Sequence, residues 1–248
     1  MKLSIVTVSF NDLEGLQHTH QSINGVTTPL SKLEIEWVVV DGGSVDGSDS
    51  FLKNCELTDS WVSEPDKGIY DAMNKGSQLC TGDYIIYLNA GDVFTQNALV
   101  ILEEFIVIPS EKLYFFGAEF IAGDRKRYRS PRVFSAVKHS VPANHQAILF
   151  PRNLILKFPY NLKFSICGDY DLCARLYKSG YEAVIVNKSL VKFELGGVST
   201  FNIRELAKEA VQIQRTVLSL NFMEISISYT RRYASMILNF IWFKFFGN

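Results

Sequence analysis

Residues 63–76 read SEPDKGIYDAMNKG, and residues 82–92 read GDYIIYLNAGD. The first stretch predicts a polar loop followed by a helix over Ile69–Leu79, in which Asp71 and Asn74 share one face because they are three positions apart. The second stretch predicts a buried strand that ends in an acidic turn. This order places charged groups at the carboxyl edge of a sheet, where open α/β sheets bind their ligands.

Outward from this stretch, apolar strands alternate with helices. Leu3–Phe10 and Glu36–Asp41 are nearly continuous apolar runs, as expected for parallel strands that are covered on both faces. The alternation predicts an α/β fold with a Rossmann-like, mostly parallel sheet and helices on both faces. We expect one domain over residues 1–200 and a C-terminal helical extension over residues 201–248. The other predicted elements are helices at Asp12–Asn24, Gln96–Ile106, Asp169–Ser179 and Ile203–Leu218, and strands at Trp61–Ser63, Tyr84–Leu88, Leu113–Phe120, Lys126–Tyr128, Ala147–Phe150 and Glu182–Val186.

The bulk composition argues against several classes of protein. The 248 residues are 47% hydrophobic, which is enough for a sizeable core. The net charge is −1, so the molecule as a whole is not an electrostatic nucleic-acid binder. No uncharged apolar run reaches about 18 residues, which argues against a spanning helix. The N-terminus has no signal-peptide pattern, and the cysteines form no C-x-x-C pair, so we expect a cytoplasmic protein.

Asp41 closes a predicted strand and is followed by two glycines. One interpretation is an Asx turn, which is common at such positions. The other is a carboxylate that accepts hydrogen bonds from the base or ribose of a ligand, since glycines let a ligand approach the backbone closely. The sequence leaves both interpretations open.

The segment Asn89–Asp92 follows another predicted strand. Its Asn-x-Gly-Asp pattern favours a turn. Alternatively, Asp92 meets a divalent cation held by a diphosphate, because Mg²⁺ prefers one or two carboxylates together with phosphate oxygens. Asp41 and Asp92 are expected at the same edge of the sheet, which favours a functional role for both.

A mixed-charge group lies in the first quoted stretch and consists of Asp66, Lys67, Asp71 and Asn74. Charges on a surface helix often serve only solubility. Against that interpretation, the neighbouring proline and glycine fix the shape of the loop. Lys67 could then neutralise a phosphate as a point charge.

Residues 167–176, CGDYDLCARL, open a predicted helix with two carboxylates. Acidic residues in a first turn stabilise the helix dipole, and Asp171 can pair with Arg175 at i, i+4. The functional interpretation makes Asp169 a general base, with Gly168 leaving room for a substrate.

Two smaller features remain. His145 stands alone before a predicted strand and is interpreted as structural. Gly196–Thr200 is interpreted either as a connector or as a mobile flap over a site, since glycines permit hinge motion.

The tail, residues 231–248, is rich in aromatic residues and contains Arg231, Arg232 and Lys244 but no acid. A helix of this length is too short to span a bilayer. Its composition suits a helix that lies in a membrane interface with its cations toward anionic lipid. The alternative is a helix that packs on its own domain or on a partner chain.

Taken together, these motifs resemble the inverting family 2 glycosyltransferases, and more narrowly the bacterial enzymes of O-antigen, capsule and exopolysaccharide assembly, of the colanic-acid transferase type. The resemblance covers residues 1 to about 200. The chain departs from the general pattern at Asn89 and Gly91, where Asp is frequent, and at Gly168, where Glu is usual. The matching segments are Thr7–Asn11, Val39–Ser48, Glu64–Gly76, Gly82–Asp92 and Gly168–Leu176.

The resemblance implies a glycosyltransferase A-type (GT-A) fold and the transfer of a sugar, with inversion, from a nucleotide-diphosphate sugar. The implied acceptor is a hydroxyl of a saccharide, or of a saccharide linked to a polyprenyl diphosphate lipid, in surface polysaccharide synthesis. The resemblance also implies Mg²⁺ or Mn²⁺ on Asp92 and a general base at Asp169. The implied donor-binding residues are Thr7, Asn11, Asp41, Asp66, Lys67, Asp71, Asn74 and Asn89.

Two other classes of protein stay open. A nucleotidyltransferase also combines an α/β sheet with a metal, but residues 7–15 lack the early glycine- and basic-rich phosphate loop that is usual there. A non-catalytic module that binds a sugar or a nucleotide is the other alternative.

Overall fold

A computed structural model describes residues 1–25, 32–106, 110–122, 125–194 and 202–246. The strands are β1 (Lys2–Ser9), β2 (Glu34–Asp41), β3 (Ser60–Ser63), β4 (Tyr84–Tyr87), β5 (Val93–Phe94), β6 (Leu113–Ala122), β7 (Arg125–Arg129), β8 (Ile148–Pro151) and β9 (Ala183–Glu194). The α-helices are α1 (Leu13–Asn24), α2 (Ser48–Lys53), α3 (Ile69–Leu79), α4 (Ala98–Phe105), α5 (Arg152–Lys157), α6 (Gly168–Lys178), α7 (Ile203–Thr216) and α8 (Phe222–Phe246). Two short 3-10 helices span Phe134–Lys138 and His145–Ala147.

All the strands belong to one sheet, in the order β3-β2-β1-β4-β8-β6-β9-β5, with β7 paired to β6. In the first half, β2 and β4 both run parallel to β1, and β3 runs parallel to β2. The register aligns Ser9 with Asp41 and Asp41 with Ser63. Three strands therefore end in one polar row, which is the carboxyl edge expected from the sequence.

The second half of the sheet is mixed. β8 runs antiparallel to both β4 and β6, whereas β9 runs parallel to β6. β5 follows Asp92 directly and pairs antiparallel with β9 at the far end of the sheet. The turn at residues 89–92 connects β4 to β5. Because β5 pairs with β9, pairing within the sheet holds the turn at both of its ends.

Two apolar clusters cover the two faces of the sheet, as expected from the continuous apolar runs. One cluster joins β-strand residues to α3, α6 and α7, and the other joins them to α1 and α4. The α3 helix lies close to the sheet because Gly76 faces β1, where a Cβ atom would come within 2.5 Å of Val6 Cγ1. The predicted α/β fold, with a mostly parallel sheet and helices on both faces, is confirmed.

Three parts of the structure differ from the sequence prediction. β5 and α5 were not predicted, since two and six residues are too short to show a clear period. The last helix begins at Phe222 and not near Arg231. The Gly196–Thr200 segment and the side chains from residue 235 onward lie outside the described residues.

The C-terminal extension begins with a helix that belongs to the core. Ala210 and Ile213 of α7 are buried in the same cluster as Tyr170 and Leu172 of α6. Within the described residues, no helix is both long enough and apolar enough to cross a membrane.

Candidate active site

The Asp41 carboxylate is fully buried and closes the loop that follows β2. Its Oδ2 atom accepts hydrogen bonds from the Ser44 N–H at 2.9 Å and from the Ser63 hydroxyl at 2.6 Å, and the Ser44 hydroxyl donates to Oδ1. Asp41 thus makes the Asx-type turn that was one of its two interpretations. In this conformation both of its oxygens accept hydrogen bonds from neighbouring residues of the protein.

Asn11 connects the loops after β1 and β2. Its backbone lies in the left-handed region at φ 48°, and its Oδ1 atom accepts a hydrogen bond from the Val45 N–H at 3.0 Å. The Asn11 N–H in turn donates to the Ser44 hydroxyl at 2.7 Å. Asn11 is therefore at the predicted edge, where it holds one loop against the other.

Thr7 supports the sheet from inside. The side chain is fully buried, and its hydroxyl donates to the Leu88 carbonyl at 2.8 Å and accepts from the Trp37 indole N–H at 2.9 Å. These bonds favour a supporting role over direct contact with a ligand.

Phe10 is exposed at this edge, with 65% of its surface accessible. Its ring lies beside Gly42, where an added Cβ atom would come within 3.0 Å of the Phe10 ring and 2.8 Å of Asp66 Oδ2. An exposed aromatic ring next to a carboxylate offers a stacking surface and a hydrogen-bond acceptor. The sequence interpretation missed Phe10 because it forms the apolar end of a strand.

The mixed-charge loop is closed by its own carboxylates. Asp66 Oδ1 accepts from the Gly68 N–H at 2.7 Å, and Asp71 Oδ2 accepts from the Lys67 N–H at 3.0 Å. Lys75 pairs with Glu64 at 2.6 Å, whereas the ammonium of the exposed Lys67 forms no ion pair in the described part of the chain. Lys67 therefore remains available to an anionic ligand.

Asn74 clamps a distant loop. Its side-chain amide donates to the Tyr160 carbonyl at 3.0 Å and accepts from the Tyr160 N–H at 2.8 Å. Both polar groups of the amide are used, so Asn74 positions Tyr160. The Tyr160 ring stacks on Tyr70 at 5.4 Å between centroids.

Asp92 is held by Gln146. The Gln146 side-chain amide donates to Asp92 Oδ2 at 2.8 Å. Burial raises the pKa of Asp92 to about 7, and this hydrogen bond opposes the rise. Thr19 of α1 fixes the same turn, because its hydroxyl lies 2.8 Å from the Asp92 carbonyl and 3.1 Å from the Asn89 carbonyl. No local sequence signal marks Gln146 as the partner of Asp92.

The residues around Asp92 fit a hard divalent cation that takes most of its ligands from phosphate and water. Asn89 Oδ1 is buried and has no hydrogen-bond partner within the described ranges, and the Asp92 N–H donates to the Asn89 carbonyl at 3.0 Å. Carboxylate and amide oxygens are suitable ligands for Mg²⁺ or Mn²⁺. Among the described residues no group of three or more His, Cys, Asp and Glu side chains could hold a metal alone, so a diphosphate would have to complete the shell.

Asp169 lies in the first turn of α6, and its Oδ1 atom accepts from the Tyr170 N–H at 2.7 Å. Burial raises the pKa of Asp169 to about 6, while this hydrogen bond and the nearby Tyr70 hydroxyl oppose the rise. Gly168 lets Tyr70 pack here, since an added Cβ atom would come within 2.7 Å of the Tyr70 ring. A carboxyl group with such a pKa can accept a proton near neutral pH.

Glu209 of α7 fixes the segment before Asp169. One Glu209 oxygen accepts from the N–H and the hydroxyl of Ser165, at 2.7 and 2.9 Å. The other accepts from the N–H groups of Ile166 and Cys167, at 3.0 and 2.8 Å. The sequence interpretation missed this residue, because a single Glu on an amphipathic helix looks like a solvated charge.

An aromatic layer connects the surroundings of Asp92 and Asp169. His145 precedes Gln146, and its Nε2 atom lies 2.7 Å from the Tyr160 hydroxyl. The His145 ring stacks on Tyr87, and burial lowers its pKa to about 4, so it is neutral. The layer continues through Tyr160 to Tyr70, which reaches Asp169. His145 is structural, as interpreted from the sequence.

The predicted residues thus share one side of the molecule, at the carboxyl ends of the first strands and at the start of α3 and α6. Thr7 and Asn74 act inside the scaffold, whereas Lys67, Asp92 and Asp169 present polar groups. Two surface cavities, of about 450 and 520 Å³, lie elsewhere, against α7–α8 and against α1–α2. Neither of these two cavities is lined by a predicted site residue.

Comparison with known proteins identifies relatives of this architecture. The pattern of the family described as Glycosyl transferase family 2 matches residues 4–178. An uncharacterized glycosyltransferase of Mycobacterium tuberculosis is 36% identical over 207 residues, which cover 80% of this chain and 77% of the relative. A PGL/p-HBAD biosynthesis glycosyltransferase of Mycobacterium bovis is 28% identical over 152 residues, which cover 59% of each chain.

Two solved structures share the fold. S. aureus TarS in complex with UDP-GlcNAc superposes with a TM-score of 0.69 at 12% identity, over 94% of this chain and 73% of that chain. The mannosyltransferase PcManGT of Pyrobaculum calidifontis, in complex with GDP-Man and Mn²⁺, superposes with a TM-score of 0.67 at 16% identity, over 92% and 68%. The predicted GT-A fold is confirmed by these likenesses.

The raised pKa of Asp169 predicts a cost in stability. A carboxyl group whose pKa rises from 3.8 to about 6 on folding binds its proton more tightly in the folded state. The charged Asp169 carboxylate therefore does not destabilise the fold below about pH 3.8. The destabilisation grows between about pH 3.8 and 6 and is complete above about pH 6. At pH 8, we expect Asp169→Asn to raise the free energy of unfolding by roughly 1–3 kcal/mol, because the neutral amide keeps the bond from Tyr170.

Urea unfolding of both proteins at pH 8 measures this difference. Asp49→Asn, on the partly exposed α2, is the control and should change stability little. Equal or lower stability of Asp169→Asn at pH 8 would show that Asp169 is not destabilised by burial.

Proposed function

The chain belongs to glycosyl transferase family 2, and on that premise we propose that it transfers a sugar, with inversion, from a nucleotide-diphosphate sugar to a hydroxyl group of a saccharide or lipid-linked saccharide. The observation that carries this proposal is Asp169, a partly buried carboxylate with a pKa raised to about 6 at the carboxyl side of the sheet. Such a group can take a proton from an acceptor hydroxyl at neutral pH.

The donor nucleotide occupies the edge formed by the loops after β1, β2 and β3. Phe10 stacks on the base, and the Asp66 carboxylate accepts hydrogen bonds from the nucleoside. Asp41 and Asn11 hold these loops in place, and Asp71 closes the loop that presents the Lys67 ammonium to the diphosphate. In support, TarS and PcManGT, which share the fold, were solved with UDP-GlcNAc and GDP-Man.

Asp92 and Asn89 would hold a divalent cation on the diphosphate. When bound, such a cation neutralises the charge that grows on the leaving group. Gln146 orients the Asp92 carboxylate through its 2.8 Å hydrogen bond. Mn²⁺ in the PcManGT complex supports this assignment.

The reaction is a single displacement. The acceptor oxygen forms a bond to the anomeric carbon on the face opposite the diphosphate, while the bond from that carbon to the phosphate oxygen breaks. The nucleoside diphosphate leaves with the electron pair of that bond. Asp169 takes the proton of the acceptor hydroxyl, which is a poor nucleophile without a base.

The acceptor is linked to a polyprenyl diphosphate lipid, and the protein works at the cytoplasmic face of a membrane in surface polysaccharide synthesis. The support for this part is α8, which exposes Phe222, Met223 and Tyr233 to solvent within the described residues. The sequence continues with the aromatic tail and its cations. Exposed apolar and basic side chains on one helix suit a membrane interface.

Asp169→Asn tests the catalytic role. The amide cannot take a proton, so turnover should fall by at least about 100-fold, while nucleotide binding persists. Turnover is measured as release of nucleoside diphosphate in the presence of acceptor, and binding is measured by thermal shift with UDP-, GDP- and dTDP-sugars and Mn²⁺. Unchanged turnover would remove Asp169 as the base.

Deleting residues 231–248 tests the membrane contact. We expect the full chain in the membrane fraction and the truncated chain in the supernatant, because the deletion removes the aromatic tail and three cations. Circular dichroism should show that the truncated chain remains folded. If both proteins fractionate alike, the interfacial role of the tail is rejected.

A further inference from the structure

A group of basic side chains lies where α8 meets the body of the domain. We call it the cationic cluster. It comprises Arg132, Lys138, His139, Arg231 and Arg232. The first three belong to the connection between β7 and β8, and the other two belong to α8.

The cationic cluster is built by hydrogen bonds to uncharged groups. One Arg132 nitrogen donates to the Ser140 hydroxyl and to the Val141 carbonyl, both at 2.6 Å. Arg232 donates to the His139 carbonyl at 2.9 Å. These bonds fix the two guanidinium groups but leave their charge uncompensated.

None of the side chains of the cluster forms an ion pair with a carboxylate within the described residues. Burial lowers the pKa of His139, and Arg231, Arg132 and Lys138 lower it further, opposed only by Glu224. The cations are therefore close enough together to act on one imidazole. Like charges held at such separations favour the binding of an anion.

Buried polar atoms without hydrogen-bond partners lie in the same place. Arg132 Nε, Arg232 Nη1 and His139 Nδ1 are buried and have no hydrogen-bond partner among the described residues. Buried polar atoms normally have partners, because leaving one unpaired costs free energy. The two arginine nitrogens can only donate, so together they indicate a bound group that accepts hydrogen bonds.

The cluster adjoins the segment that carries the general base. Arg232 lies close enough to Cys167 and Tyr170 to lower the pKa of both groups, although burial raises each of them overall. These two residues flank Asp169. An anion bound by Arg232 would therefore lie beside the segment that carries Asp169.

We propose that the cationic cluster binds the phosphate or diphosphate of a lipid-linked acceptor and so places its sugar hydroxyl at Asp169. The proposal rests on the proposed function and names the part of the acceptor that this chain recognises. Guanidinium groups match phosphate oxygens in geometry and charge.

The lipid part of such an acceptor has a place on the same helix. Phe222 and Met223 of α8 are 80% and 71% exposed, and α8 continues from them through Arg231 and Arg232. An isoprenoid chain in the membrane interface and its diphosphate at the cluster would thus be held by one helix. A phospholipid headgroup has the same phosphate chemistry, so the experiment must separate the two sources.

Binding of farnesyl diphosphate tests the proposal directly. The main variant is Lys138→Gln/Arg231→Gln, because both side chains are exposed and neither forms an ion pair within the part of the chain that the structure describes. Loss of two charged contacts should weaken farnesyl diphosphate binding at least about tenfold in calorimetry. Arg232→Lys keeps the positive charge but loses the planar guanidinium group. It should therefore weaken binding of farnesyl diphosphate less than Arg232→Gln.

The matched control is Arg204→Gln/Arg215→Gln, which removes the same charge from exposed positions of α7 and should bind farnesyl diphosphate like the wild type. Farnesol is the ligand control, and its binding should be the same in all variants. Sedimentation with phosphatidylglycerol and phosphatidylcholine vesicles separates the membrane surface from the acceptor. The proposal is overturned if the main variant binds farnesyl diphosphate normally, if the α7 variant weakens it equally, or if only phosphatidylglycerol binding is lost.

Calorimetry without turnover keeps this test separate from the proposed function. If Asp169→Asn retains full sugar transfer while the cluster variants lose binding of farnesyl diphosphate, Asp169 is not the general base but the anion site is supported. If Asp169→Asn loses transfer and the cluster variants bind farnesyl diphosphate normally, the transferase mechanism stands and this inference is rejected.

Discussion

The hydrogen bonds of Glu209 hold the segment on which the rest of the candidate active site depends. Both Glu209 oxygens are used by donors of residues 165–167, immediately before α6. A buried carboxylate is costly unless its oxygens are satisfied, and here four donors satisfy them. These bonds lower the pKa of Glu209 against the effect of burial, so it stays charged. Because Glu209 is on α7, the C-terminal part of the chain takes part in positioning Asp169.

The site also requires carboxylates that are poorly solvated. Burial raises the pKa values of Asp92 and Asp169 to about 7 and about 6. The aromatic layer between their surroundings adds no charge, because His145 is neutral and its partner is the Tyr160 hydroxyl. The fold therefore keeps two carboxyl groups poorly solvated. This costs stability, but it lets each group bind a proton or a cation. Such conflicts between stability and local charge are expected at functional sites.

The sequence predicted the carboxyl edge because apolar strands, glycines and acids follow one another along the chain. The helix over Ile69–Leu79 was predicted correctly from its local sequence. The sequence could not predict contacts between distant segments, such as Gln146 with Asp92 or Asn74 with Tyr160, because Gln146 and Tyr160 carry no local pattern. The two-residue strand β5 was missed because it is defined only by its pairing with β9.

A crystal structure with Mn²⁺ and a nucleoside diphosphate would test the central claim most directly. We expect the metal, located by its anomalous signal, within coordination distance of the Asp92 carboxylate and the diphosphate. We also expect the nucleobase beside Phe10 and open space in front of Asp169 for the acceptor. A nucleotide bound away from this edge, or an Asp92 carboxylate that remains on Gln146 with the metal elsewhere, would contradict it.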